Sequence, residues 1–430
     1  MLRALRHRNY RLFFGGQIVS LVGTWMTSVA TSWLAYRLSH SAWTLGIVGF
    51  AGQIPTFLLA PATGILVDRV HKHRALVVTQ TLAMLQSFAL AAMTLSGHAS
   101  VAGLILLNLI DGTITAVDMP LRQSFLIEMV EGKEDLGNAI ALNSTMVNAA
   151  RLIGPSLGGA VIAFAGEGWC FFLDGASFLA VIFALLAMRV RPPEPAPRAS
   201  GGALAELREG WYYTAGSRPI RAIILLLALV SLVGLPYITL MPLFAGRLLR
   251  GGPRTLGLLM GAVGTGALGG ALWLAARRSV RGLGAVIPAA AATFGAGLIG
   301  FSLSRNLWLS AALLVVVGAG FMVQMTASNT IVQTIVHDDK RGRVMSFFMM
   351  AFLGTTPFGS LIAGGLAERF GAAKTLLFGG ACCLGGAAWF AWRLEEIRAA
   401  IRPIYRRMGI LPESAAAVET VRRMTLETRD

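Results

Sequence analysis

Arg151 sits where an arginine is expensive. It lies mid-way along the apolar run 140–164, with Gly154-Pro155 three residues on and Gly158-Gly159 one turn beyond. A charge inside a membrane span costs at least ~2.5 kcal/mol, and such residues face a partner or a water-filled cavity. Glycines in a span let another helix approach closely. Two carboxylates share this environment, Asp111 in the middle of an earlier apolar run and Asp118 near its end. At ~1.5 Å per residue, Asp111 is ~15 Å from Leu121 and Arg151 is ~20 Å from Asn138. These depths predict a buried Asp111–Arg151 pair. Asp118 is only ~5 Å from Leu121, so Arg122 is its expected partner. Burial and a neighbouring cation pull a carboxylate's proton affinity in opposite directions. Such a pair can exchange a proton as its surroundings change, or it can be a permanent strut between two helices. Both readings stay open at this point.

Softer candidates accompany the charges. Gln17, Trp25, Gln53, Gln324, Asn329 and Gln333 lie in apolar runs. A mostly apolar cavity with a few amides and aromatics suits an amphipathic organic molecule. The same amides also suit helix–helix hydrogen bonding. Asp174 is expected in packing or at the interface rather than in the path, and Met349 and Met350 in the core.

Positioning these groups takes membrane helices. The 430 residues are 55% hydrophobic and 13% charged, where a soluble globule has roughly a quarter of its residues charged. A span needs ~20 mostly apolar residues. Such runs fall at 12–36, 44–67, 75–96, 100–121, 138–164, 168–188, 221–246, 255–276, 283–304, 307–333, 343–366 and 374–392. They predict an all-α polytopic membrane protein with twelve transmembrane helices. Pro55, Pro61, Pro155, Pro236, Pro242, Pro288 and Pro357 interrupt them, which spans tolerate when neighbours satisfy the freed backbone groups.

Lys and Arg crowd the segment before the first run, the alternate loops and the tail. The opposite loops carry only Arg37, Arg247, Arg250, Arg254, Arg305, Arg369 and Lys374. This asymmetry places both termini in the cytoplasm and leaves Arg247, Arg250 and Arg254 unexplained. It also accounts for the net charge of +16. No basic segment alternates with aromatics, so nucleic acid is excluded as a partner; membrane lipids are the expected surroundings.

The polar segment 189–220, with Pro192, Pro193, Pro195 and Pro197, reads as a cytoplasmic linker. It separates a six-helix half at 1–188 from a second at 221–392, and a basic cytoplasmic tail follows at 393–430. Within the linker, 204–213 predicts a short surface helix. In the tail, 395–408 is expected along the inner membrane surface. The halves resemble each other. Gln123 precedes a charged loop and the run with Gly154-Pro155 and Gly158-Gly159; Gln333 precedes a charged loop and the run with Gly354, Pro357 and Gly364-Gly365. A repeat of this size suggests transporter halves with a binding site between them near the midplane.

The loop after the second run holds Gly64, Asp68, Arg69 and Arg74. It resembles the Gly-x-x-x-Asp-Arg motif of the major facilitator superfamily, in its usual place. The resemblance implies a conformational latch, with Asp68 accepting bonds from an adjoining helix end and Arg69 pairing nearby. Gly154, Pro155, Gly158 and Gly159 resemble the superfamily's fifth-span antiporter motif, except that its leading Gly is Ala150 here. In the family this motif accompanies export. The strings at 118–125, 138–143, 151–155, 168–171 and 341–346 are similar to the bacterial drug:proton antiporter branch, that of the enterobactin exporter and macrolide-efflux-like proteins. The similarity covers residues 5–392.

Two departures stand out. The fourth-span arginine of many drug:proton antiporters is Asn108 here, with Asp111 at the motif's Gln position. The second-half copy of the latch, Arg277 to Arg281, has no acidic residue.

The resemblance implies a secondary active exporter of the bacterial inner membrane, carrying a drug, siderophore or metabolite by alternating access in exchange for protons. A monomer is expected. An importer or lipid flippase on the same fold is the alternative, and a non-transporting sensor or assembly partner is the alternative from another class. No Gly-x-x-x-x-Gly-Lys phosphate loop is present. Cys170, Cys382, Cys383 and the histidines lack metal-like spacing. Neither enzyme chemistry nor a cofactor is expected.

Overall fold

The computed structural model describes residues 3–130, 133–189, 203–277, 279–337 and 339–407. The proline-rich part of the linker and the end of the tail lie outside the described residues, as do the surroundings of Gly64 and the side chain of Asp68. Among the described residues, twelve helical spans are long and apolar enough to cross a membrane.

The first six are α1 (Arg8–Ser39), α2 (Ala42–Arg69), α3 (Lys72–Leu95), α4 (Val101–Met129), α5 (Lys133–Ala165) and α6 (Glu167–Leu186). A surface helix, α7 (Ala203–Gly216), precedes the seventh span. That span is α8 (Arg218–Leu229), a π turn at Val230–Gly234, α9 (Tyr237–Leu243) and a second π turn at Phe244–Leu248. Then follow α10 (Pro253–Ala275), α11 (Leu283–Leu303) and α12 (Leu307–Ile335). The eleventh span divides into α13 (Arg341–Leu353) and α14 (Thr356–Phe370), and α15 (Ala372–Trp392) is the twelfth. A terminal helix, α16 (Leu394–Arg407), closes the described chain.

Local chemistry sets several helix starts. Ser41 caps α2 by accepting from Thr44 N at 3.3 Å, and Asn306 caps α12 by accepting from Trp308 N at 2.9 Å and Leu309 N at 3.1 Å. Such caps satisfy backbone donors that have no partner inside the helix. Gly166 and Gly371 turn the chain between the fifth and sixth and the eleventh and twelfth spans with φ of 92° and 90°, a region that side chains disfavour. They occupy matching places in the two halves.

Most of the prolines do not break their spans. Pro55, Pro61, Pro155 and Pro288 lie inside continuous helix, and only Pro236 and Pro357 flank an interruption. Pro236 follows a π turn, a loosened segment in which a missing N–H costs less.

Packing makes two six-span groups. In the first, α1 packs on α5 and α6, α3 on α4 and α6, and α2 on α4; in the second, α10 and α11 pack on α12, and α11 on α15. The groups meet mainly through α5 against α10 and α2 against α14. The tail helix α16 presents Ile397, Ile401 and Tyr405 at one-turn spacing, and packs this stripe on α8, α11, α12 and α15. Its apolar face is therefore taken by protein, where the sequence suggested the membrane surface.

Candidate functional site

The seam between the two groups explains the repeated glycines. A Cβ added at Gly159 of α5 would stand 2.9 Å from Gly257 Cα of α10, and one at Gly364 of α14 would stand 2.8 Å from Gly46 Cα of α2. Only glycine permits such backbone approach. Gly261 against Ser156 and Gly264 against Leu152 continue the first seam; Gly49 against Ser360 continues the second, beside a 3.0 Å hydroxyl contact between Thr239 and Ser360. These approaches lie toward the end of the bundle that carries the α1–α2 and α5–α6 connections.

At that same end Glu368 of α14 reaches across to the start of α2. Its carboxylate accepts from Ser41 Oγ at 3.0 Å and Trp43 N at 3.1 Å. Sequence reasoning passed over Glu368. The signal was there: it lies one turn after Gly364, the seam glycine. Arg247 feels the Glu368 charge, and the Arg254 guanidinium lies 4.3 Å from the Phe164 ring centroid. These contacts account for two of the three arginines that the charge asymmetry left over. Arg254 also lines a mostly apolar groove of about 640 Å³ between α5, α10 and α12, with Leu152, Ser156 and Trp308.

Arg151 lies just inside the seam. The other two motif glycines pin α5 to α1: a side chain at Gly154 would strike Trp25, and one at Gly158 would stand 3.1 Å from Met26 Cα. This close approach sets Trp25 beside Arg151, the guanidinium 5.1 Å from the ring centroid. A cation over an indole face is attracted by the ring quadrupole. From the second group, Tyr237 of α9 interacts electrostatically with Arg151. Tyr237 is only 2% exposed and is held at its edge by Phe294, with ring centroids 6.1 Å apart.

The expected Asp111–Arg151 pair does not form. Among the described residues Asp111 makes no ion pair within 4.0 Å, and Arg151 turns to Trp25 instead. The physical reason is rotation, not depth. Asp111 and Asp118 are seven residues apart, two turns of helix, so they share one face. That face looks to α3, where Asp118 accepts from Thr79 Oγ1 at 2.7 Å and Gln80 Nε2 at 2.8 Å. Arg151 lies on α5, which packs on α1 and α10.

The structure does join Asp118 to Arg122, one turn on. Asp111 feels the charges of Asp118 and of Asp174, so the three acids line the interior of the first group. Asp174 is packed, as expected, and accepts from Ser87 Oγ at 2.9 Å. Asn108, at the position of the missing arginine, bonds its own helix at Leu104 O, 2.7 Å away.

The amides divide. Gln17 and Gln324 are 2% and 0% exposed, enclosed by neighbouring helices and off any open wall. Gly16 draws α6 against α1, and Gly320 draws α11 against α12, which closes the space around each. Gln53 bonds back to Gly49 O at 3.2 Å, and Gln333 donates to Asn329 at the exposed end of α12. Of the latch motif, Arg69 and Arg74 are exposed at the end of α2 and start of α3.

Two six-span groups joined by a glycine seam, with Arg151 just inside it, define a membrane carrier of the major facilitator type. The chain belongs to the transmembrane secretion effector family within that superfamily, whose model it matches over residues 1–422. It is 26% identical over 373 residues to the staphyloferrin A transporter of Staphylococcus aureus, covering 85% of this chain and 91% of that protein. It is likewise 26% identical to the multidrug efflux pump Tap of Mycolicibacterium fortuitum, over 89% of this chain and 95% of Tap. To the enterobactin exporter EntS of Escherichia coli it is 24% identical, over 84% and 85%.

Among solved structures, the fold is similar to the nucleoside transporter NupG, with TM-score 0.69 and 13% identity over 90% of this chain and 99% of NupG. It is also similar to a bacterial homologue of ferroportin in an inward-facing state, with TM-score 0.66 and 16% identity over 91% and 98%. The chain is thus a multi-pass transporter of the inner membrane, with relatives named as exporters.

Proposed function

We propose that this chain exports an amphipathic small molecule across the bacterial inner membrane by alternating access, in exchange for inward-moving protons. The observation that carries the reading is the paired seam, Gly159 on Gly257 and Gly364 on Gly46. Two equivalent contacts at one end of the bundle are what a rocking pair of halves makes and breaks. With both termini in the cytoplasm, as the positive charges favour, the seam closes the outer face. The names of Tap and EntS, and the glycines of α5, support export. The carrier acts as a monomer, with small molecule and protons as its partners.

Asp111 is the group best placed to take the proton, since it has no ion-pair partner among the described residues. Asp118 is fixed by Arg122, Thr79 and Gln80. The test is uptake of a dye or drug panel into inverted vesicles under an imposed pH gradient. Gradient-dependent uptake is expected, and Asp111→Asn should abolish the dependence while facilitated exchange persists. Uptake indifferent to the gradient would remove proton coupling. Accumulation only in right-side-out vesicles would make the chain an importer.

A further inference from the structure

We infer that Arg151, Trp25 and Tyr237 form an anion-binding subsite between the two halves, and that the cargo carries a carboxylate or other oxyanion beside an aromatic or apolar body. The inference rests on the transporter reading and names the chemistry of its cargo.

Three observations converge on it. First, Arg151 is a cation without a counter-ion among the described residues. Its Nε is enclosed with no partner, and its terminal nitrogens bond no described residue. The acids of the first group cannot serve it. Asp118 is committed to Arg122, Thr79 and Gln80, Asp174 bonds Ser87, and Asp111 shares the Asp118 face. A guanidinium at this depth needs a counter-charge, and its fork of donors matches a carboxylate.

Second, Trp25 lies against the guanidinium. An indole holds Arg151 in place by cation–π attraction and offers an apolar wall to the rest of a ligand.

Third, Tyr237 enters from the opposite half. It is 2% exposed, yet its hydroxyl makes no hydrogen bond to any described residue, and it lies within electrostatic reach of Arg151. A buried phenol ordinarily finds a partner. An oxyanion seated on Arg151 would accept from it. The anion then touches both halves at once, so loading would draw them together around it and rocking apart would weaken the grip. A cationic drug would meet Arg151 as a repulsive neighbour, which sets specificity against it.

The experiment uses the full chain in lipid nanodiscs and three matched probes: 1-naphthoate, 1-naphthalenemethanol and 1-naphthylmethylammonium. Binding is read by titration calorimetry and by change in tryptophan fluorescence. The wild-type chain is expected to bind naphthoate at least tenfold more tightly than the cation, with the neutral alcohol between. Arg151→Ala should erase this ranking, Arg151→Lys should keep it in weakened form, and Tyr237→Phe should weaken naphthoate several-fold while leaving the alcohol unchanged.

The ranking in the wild-type chain needs no variant, so the test stands even if Arg151→Ala fails to fold. Equal binding of anion and cation, no binding of naphthoate, or unaltered naphthoate binding by a folded Arg151→Ala protein each overturn the subsite. Equilibrium binding needs no gradient. A chain that ranks the probes but moves nothing in vesicles fails as an exporter and keeps its subsite; a chain that transports but does not rank them loses the subsite alone.

Discussion

Asp118 and Asp111 carry the same side chain on the same helix face, and their surroundings assign them opposite work. Asp118 accepts from Arg122, Thr79 and Gln80 and is 4% exposed. Breaking a buried pair by removing one partner leaves an uncompensated charge and costs about 3 kcal/mol or more. Asp118→Ala should therefore lower the thermal unfolding midpoint of the purified protein well beyond Asp111→Asn, whose residue has no such partners. Equal midpoints for the two variants would contradict this division. The charges themselves were legible in the sequence, because charged residues in apolar runs announce themselves. The Asp118–Arg122 pairing was legible too, because four residues is one turn. The Asp111 partner was misread because depth along a helix was counted and direction around it was not. Seven residues return a side chain to the same face, and that count was available from the start. Tyr237 was missed for another reason: it acts on a residue of the other half, and nothing local marks such a partner; Glu368 carried a local mark in its place one turn after Gly364, but its partner on α2 carried none.

At the scale of elements, α7 shows how a surface helix is held. Glu209 on α7 bonds Lys340 and Arg343 at the start of the eleventh span, and Gly210 packs on Arg343 and Phe347. The Lys340 hydrogen bond, with Arg343 beside it, holds the Glu209 carboxyl below its ordinary range, and the same bond holds Lys340 above its own. The signs follow. A lowered carboxyl stabilises docking above its undocked value, and that contribution is lost as pH falls through the lowered one. A raised lysine contributes at low pH and loses its contribution as pH rises through the raised value. Docking should thus be flat through neutral pH and weaken in acid and in strong base. Glu209 is exposed and its partners are half-buried, so salt should weaken docking as well. Amide protection over the last turns of α7, taken relative to the intrinsic exchange rate at each pH, should fall in acid, at high salt and in Glu209→Gln at neutral pH. Protection insensitive to all three would mean that the Trp211–Phe347 ring contact at 5.8 Å holds the helix by itself. The sequence disclosed α7 through its mixed composition, but not its anchor, since Lys340 lies in a loop far along the chain.

For the whole molecule, the twelve spans were plain because each is a run long enough to cross a bilayer. Which end is shut was not, because that depends on α5 meeting α10 and α2 meeting α14 across the chain. The seal, which lies at the outer face in the proposed orientation, has two components of different kind. The glycine seams give close packing, which is non-directional and present in any tightly sealed state. Glu368 adds a directional bond, accepting from Ser41 Oγ and Trp43 N at the start of α2. An acceptor at a helix start contributes about 1 kcal/mol, and an anion there gains from the helix dipole as well. A loss of that size shifts a two-state balance about fivefold. Glu368→Ala should therefore raise the outward-open population without unfolding either half. Spin labels at His98→Cys and Arg305→Cys, exposed in the α3–α4 and α11–α12 connections of opposite halves, report the opening once Cys170, Cys382 and Cys383 are replaced. A longer-distance population should appear or grow in the Glu368→Ala protein, and Glu368→Gln, which keeps an acceptor but loses the charge, should fall between. A distance distribution unchanged by Glu368→Ala would assign the seal to the glycines alone. In that case Gly364→Val, which cannot fit against Gly46, should open the outer face where Glu368→Ala did not.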